Sequence, residues 1–303
     1  MANRPEEVGR EAVQTKGWFR AHKWLILRRI SQIGILALFA AGPWLGIWIV
    51  KGNLASSLTL DVLPLTDPYI LLQALVSGVT PEKAAILGAL LVLLFYSLVG
   101  GRVYCSWVCP VNLITDSAAW LRRKLGIRTT SYASRSTRYW ILALTFVLAA
   151  ITGSIVWELV NPVTITLRIL LFGMALAWLL VVGIFLFDLF VARDGWCGHY
   201  CPVGAFYSLL NAWAPLRVVA ARREACDDCM DCFNVCPEPQ VIKPALKGAD
   251  KGIGPVITAI QCTNCGRCID VCSEEVFQYG LRYGNQDRKA GSPASRPAPS
   301  AGS

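Results

Sequence analysis

The chain has 303 residues, enough for a large core or two domains, and 54% of them are hydrophobic. Lysine and arginine exceed the acids by nine, but they crowd the gaps between apolar runs instead of forming a basic stripe with exposed aromatics, which excludes a nucleic-acid partner. A single evenly built soluble core is excluded as well, because the apolar residues concentrate before residue 215.

Residues 1–29 form a basic amino-terminal segment in which Trp18, Phe19 and Trp24 interrupt seven Arg and Lys. Basic residues ahead of an apolar run are the charge order of a secretory signal. The run that follows is about 21 residues long, so it reads as a retained anchor. Four apolar runs, 30–50, 84–103, 139–157 and 169–192, meet the requirement of about 20 residues for crossing a bilayer. They predict a polytopic all-α membrane domain over 30–214 with four transmembrane helices. Arg122, Arg123, Lys124, Arg128, Arg135 and Arg138 lie between the second and third runs. Positive-inside bias then puts both termini on the cytoplasmic side of the inner membrane, as a multi-pass protein. Between the first two runs, Pro64 and Pro68 break any helix across 53–78. That segment reads as a packed loop, or as an interfacial one beside a lipid-soluble substrate.

After Pro215 cysteine, aspartate, proline and glycine replace the apolar runs, marking a second domain at 215–287. The remaining residues, 288–303, are rich in Pro, Ser, Gly and Ala and are expected to be disordered. The second domain carries "CDDCMDCFNVCP" and "CTNCGRCIDVC", two copies of C-x2-C-x2-C-x3-C. In this spacing three thiolates face one cubane and the fourth is directed to the other. Cys226, Cys229, Cys232 and Cys272 are therefore expected to hold one [4Fe-4S] cluster, and Cys262, Cys265, Cys268 and Cys236 the second, in a small α+β module like bacterial two-cluster ferredoxins. Four-thiolate zinc and disulfides fit the spacing and the expected compartment less well.

Four further cysteines form a matching pair of motifs, "CSWVCP" (Cys105, Cys109) and "CGHYCP" (Cys197, Cys201), each at the end of an apolar run. Together they could make one four-thiolate metal site, a third iron-sulfur centre, or two redox-active dithiols. His199 sits inside the second motif, Asp188 interrupts the last apolar run and Asp116 follows the first motif. All three are candidate carriers of quinol protons, and each also has a plain structural reading as a hydrogen-bond, ion-pair or capping residue. Tyr104, Trp107, Trp196 and Tyr200 suit an interfacial aromatic belt.

The stretches "GWFRAHKWLILRR", "NLASSLTLDVLPLTDPYILLQ", "CSWVCPVNLITD", "WELVNPV", "GWCGHYCPVGA", "CMDCFNVCPEP" and "CGRCIDVCSEEVF" resemble the NapH family, the membrane ferredoxin-type subunits of periplasmic nitrate reductase systems. The resemblance covers nearly the whole chain. It implies an electron-transfer subunit of a quinol dehydrogenase module, taking electrons from membrane quinol through iron-sulfur centres towards periplasmic nitrate reductase. It also implies a NapG-like iron-sulfur partner and a direct or indirect link to a NapC-like cytochrome. The chain has no C-x-x-C-H haem motif, and nitrate reduction itself is not expected of it. The alternative is a membrane polyferredoxin serving metallocentre assembly or redox maintenance.

Overall fold

The structure is a computed structural model that describes residues 7–127, 134–173 and 177–283. Arg128 and the 288–303 tail lie outside the described residues.

Helices α1 (Arg10–Lys16) and α2 (Trp18–Ala21) lead into α3 (Lys23–Leu45), which αL Gly46 closes. Strands β1 (Val50–Gly52), β2 (Ser56–Thr59) and β3 (Leu63–Thr66) then form an antiparallel meander, with Leu58 opposite both Lys51 and Pro64. The Asp67 carboxylate caps α4 (Pro68–Val76) by accepting from the Tyr69 amide at 2.9 Å. Helix α5 (Lys83–Val99) packs on β3, where Gly88 leaves room for the Pro64 carbonyl. There follow α6 (Val111–Lys124), α7 (Thr137–Thr152), α8 (Val156–Val160), α9 (Pro162–Phe172), α10 (Trp178–Leu186) and α11 (Pro202–Leu210).

This corrects the four-span, all-α expectation and the multi-pass, cytoplasm-facing localisation drawn from it. Among the described residues one helix, Lys23–Leu45, is long and apolar enough to cross a membrane; the other apolar helices have 10–17 residues. The composition of the runs is apolar, but glycine ends their helices early. Gly100 stops α5, αL Gly153 stops α7, and αL Gly173 divides the fourth run between α9 and α10. The first run gives its last residue, Val50, to β1, so this part of the chain also contains a sheet.

The carboxy-terminal module pairs β4 (Leu216–Val219) with β5 (Gln278–Leu281), Val218 opposite Tyr279. Helices α12 (Asp231–Val235), α13 (Ile242–Lys247) and α14 (Arg267–Val271) pack around a core in which Val218, Val241, Ile242, Ile257 and Phe277 surround Cys232 and Cys268. Both cysteine loops fold alike. Asp228 and Met230 in the first, and Asn264 and Gly266 in the second, take positive φ at equivalent positions, and a short helix follows each. The amino-terminal segment belongs physically to this module. The Gly9 amide donates to Asp231 Oδ2 at 2.8 Å, and Asp270 accepts the Trp24 and Leu25 amides at 3.1 and 2.9 Å, satisfying open donors of the first turn of α3.

Candidate functional site

Each C-x3-CP motif folds as a single π-helical turn, Tyr104–Val108 and Trp196–Tyr200. The Cys109 amide donates to the Tyr104 carbonyl and the Cys201 amide to the Trp196 carbonyl, both at 3.0 Å. The wider turn separates the paired cysteines, and the following prolines, Pro110 and Pro202, start or precede new helices where a missing N–H costs nothing. Cys105, Cys109 and Cys201 share one apolar cluster, and Cys197 stands 4.0 Å from Thr115 Oγ1. The four thiols are close enough to act on one another electrostatically. Burial pushes all four up, Cys201 to about 12. Buried, uncharged thiols make poor nucleophiles; a bound cation is what would hold them as thiolates. Gly101 permits this packing, because a Cβ there would lie 1.9 Å from the Tyr207 carbonyl oxygen.

In the module the structure brings Cys236, Cys262, Cys265 and Cys268 around one small cavity, and Cys226, Cys229, Cys232 and Cys272 around another. Burial raises Cys262 to about 11 and Cys232 to about 12. Among the described residues no three His, Cys, Asp or Glu gather as donors to one metal ion. Thiols spread around a cavity suit a cube that carries iron at its corners, whereas tetrahedral zinc would draw four sulfurs to within about 2.3 Å of one point. The donor sets therefore fit two [4Fe-4S] clusters.

The inner cavity and the C-x3-CP turns share a wall. Pro237, Glu238, Thr263 and Arg267 line both the Cys236–Cys268 cavity and the space beside Cys105 and Cys197. Glu238 accepts from Arg102 at 2.8 Å and Arg138 at 3.0 Å, and pairs with Arg135 at 3.2 Å. Burial alone would raise its pKa; Arg102, Arg138 and Arg135 outweigh burial and lower it. Arg102 also donates to the Gln261 carbonyl at 2.7 Å, Ser106 Oγ to the Thr263 carbonyl at 2.8 Å, and Arg193 to the Cys236 carbonyl at 2.6 Å. None of these contacts is legible in the sequence, where Arg135 and Arg138 read only as part of the basic gap between apolar runs. The one signal was an acid directly after a cluster cysteine and proline, Cys236-Pro237-Glu238.

Asp116 pairs with Arg28 at 3.4 Å, Arg29 at 2.5 Å and Arg267, so α3, α6 and the second cysteine loop meet at one carboxylate. Against burial, these three arginines hold it below the usual carboxylate range. Asp188 is fully buried and accepts from the Trp196 amide at 2.9 Å, fixing the start of the second turn; burial pushes it up to about 8. His199 is half-buried; burial and Arg135 lower its pKa, opposed by Glu238 and the Gly195 backbone.

A family model described as a 4Fe-4S dicluster domain matches residues 225–276, and one described as a 4Fe-4S binding domain matches 84–128 and 170–218, the stretches that contain the two turns. The "Ferredoxin-type protein NapH" of Escherichia coli K12 is 47% identical over 284 residues, covering 93% of this chain and 98% of that protein. Its counterpart from Haemophilus influenzae is 48% identical over the same length and coverage. The chain belongs to the NapH-type ferredoxin family. It is also 53% identical over 271 residues to the "Methylamine utilization ferredoxin-type protein MauN" of Paracoccus denitrificans, covering 89% of this chain and 95% of that protein. No solved structure matches. The family and the cluster domains make this chain an electron-transfer subunit with two [4Fe-4S] clusters in its module, not a nitrate reductase.

Proposed function

We propose that the chain takes electrons from a membrane quinol at the C-x3-CP cysteines and passes them through the module towards periplasmic nitrate reductase. NapG-like and NapC-like proteins are the proposed partners. The observation that carries this reading is the wall of Pro237, Glu238, Thr263 and Arg267 shared by the C-x3-CP space and the inner cluster cavity. On this reading electrons run from the turns, through Cys236, Cys262, Cys265 and Cys268, to Cys226, Cys229, Cys232 and Cys272, a last step supported by Cys268 and Cys232 sharing the module core.

On this reading Cys105, Cys109, Cys197 and Cys201 hold a third iron-sulfur centre. Bound at these sets, iron-sulfur centres supply one-electron transfer, which a two-electron donor needs in succession. The chain's own residues do the positioning. Asp188 and His199 set the fold and charge of the second turn, while Asp116 and Glu238 clamp the turns to the module. Cys226 and Cys229 are more accessible than the buried Cys265 and Cys268, which makes the outer set the exit towards a partner.

Mixing anaerobic protein with a menaquinol analogue tests the reading. Both module clusters should be reduced within seconds in the wild type and at least about 100-fold more slowly in Cys105→Ser, a loss of roughly 2.7 kcal/mol of transition-state stabilisation. Equal rates would overturn entry at the turns. The 53% identity to a methylamine-utilisation protein favours a second reading, the same electron path ending in methylamine utilisation. A test of which oxidant reoxidises the reduced chain with its partners, nitrate reductase or the methylamine system, separates the two.

A further inference from the structure

An apolar cavity of ≈ 350 Å³ lies between α3, the β1–β3 sheet, α5 and the first π-turn. That volume is within the range of about 300–1,000 Å³ that suits small-molecule sites. Its body is aliphatic, with Leu38, Leu54 and Val92 among its walls, and its polar lining includes hydroxyl residues of the sheet and a linked group of Asp67, Tyr104 and Tyr207. Tyr207 donates its hydroxyl to Asp67 Oδ1 at 3.3 Å and stacks on Tyr104 with ring centroids 4.8 Å apart. Tyr96 closes an edge-on triad, 5.2 Å from Tyr207 and 5.9 Å from Tyr104. Asp67 is 8% exposed and has no cationic partner among the described residues. The Tyr69 amide and the Tyr207 hydroxyl hold this carboxylate at the cavity wall without a counter-ion, and buried acids of that kind cluster at functional sites.

The cavity also backs onto the C-x3-CP site through the chain itself. Tyr104 and Val108 line it; Cys105 follows Tyr104 within the turn, and Cys109 follows Val108 as its cap. A ligand with a lipophilic tail and a ring bearing ionisable hydroxyls matches the apolar walls and the single acid. His199, Asp188 and Asp116 do not line this cavity.

We propose that this cavity is the hydroquinone oxidation site and that the Asp67 carboxylate is its proton acceptor. The inference rests on the quinol reading above and localises it. In the reaction both hydroquinone O–H bonds break, and the ring becomes a quinone. The two protons pass in turn through the Asp67 carboxylate to water, and the two electrons pass singly to two oxidised iron-sulfur centres. Burial, opposed by hydrogen bonds from Tyr69 and Tyr207 and reinforced by Glu158, pushes Asp67 up to about 7. The titratable groups near it are Tyr207 on α11, Tyr104 on the π-turn, Tyr96 on α5, Tyr69 on α4 and Glu158 on α8.

Photolabelling of the full anaerobic protein with an azido-naphthoquinone should mark the 50–67 and 92–108 segments. Asp67→Asn should keep wild-type iron content and reduction by dithionite, yet slow hydroquinone-driven reduction about 100-fold, as loss of a general base does. It should also abolish the fall in rate below about pH 7 that protonation of Asp67 gives the wild type. Val92→Trp, which fills an aliphatic wall, should raise the KM for hydroquinone and displace the label, and it carries the test if Asp67→Asn does not fold. Labelling around His199 or in the separate cavity of ≈ 820 Å³ that Arg29, Asp116, Trp120 and Arg123 line, or wild-type behaviour of both variants, would overturn the site while leaving quinol oxidation standing. If the wild type itself is not reduced by hydroquinone, the quinol reading and this site fall together.

Discussion

Glu238→Gln should detach the module from the rest of the chain. Arg102 and Arg138 are 2% and 0% exposed, and their shared carboxylate is 1% exposed. Removing one partner of a buried ion pair leaves the other charge uncompensated and costs about 3–5 kcal/mol. Three arginines meet at Glu238, and two of them remain buried after the substitution. The expected result is a lower unfolding temperature together with protease access at 255–265, where Gln261 and Thr263 carry the contacts to Arg102 and Ser106. Replacing Glu238, Arg102 and Arg138 together by apolar residues of similar size should recover much of the stability, because the buried charges leave as a set. A triple variant no more stable than Glu238→Gln would show that the arginines serve some role other than charge balance.

The same clamp predicts a pH response. Glu238 and Asp116 have pKa values lowered by folding. Their contribution is present above the unfolded carboxylate range of about 4 and is lost as pH falls through the lower folded values. Acid should therefore release the module in the region below about pH 4, and Glu238→Gln should flatten that response.

Removing iron from the module should unfold it. Cys232 and Cys268 sit inside its small core, and the two paired strands have four residues each. A core of this size needs its metal, as other small metal-dependent domains do, where binding supplies folding energy directly. Chelation under reducing conditions should abolish the near-ultraviolet signal of Tyr279, whose hydroxyl donates to the Asn264 carbonyl at 2.7 Å within the second cysteine loop. The π-turns and tyrosine triad should persist, since they pack on α3, α5, α6, α7 and α11, outside the module. Simultaneous loss of both parts would mean that the chain folds as one unit around its iron.

Several parts of this architecture are written locally in the chain. Each copy of C-x2-C-x2-C-x3-C places its first three cysteines at one cavity, where the loop between them suffices, while its fourth, Cys236 or Cys272, lines the other cavity, a placement set by the packing of the two copies and not by either loop alone. The four long apolar runs were legible as composition but not as four long helices. Apolar content says nothing of where a glycine will turn the chain, and Gly100, Gly153 and Gly173 decide the lengths. The β1–β3 sheet was hidden because Pro64 breaks a helix yet sits readily in an edge strand, paired with Leu58. Long-range pairings were the least visible. Glu238 lies 136 residues from Arg102 and Asp67 lies 140 from Tyr207, and no periodicity links residues that far apart.

The most direct test of the account is the iron and acid-labile sulfide content of anaerobically purified full-length protein, compared with Cys105→Ser/Cys201→Ser. Three cubanes predict about twelve iron atoms per chain, falling to about eight in the variant with both module clusters spectroscopically intact. About eight atoms in both proteins would contradict the third centre and the entry route built on it.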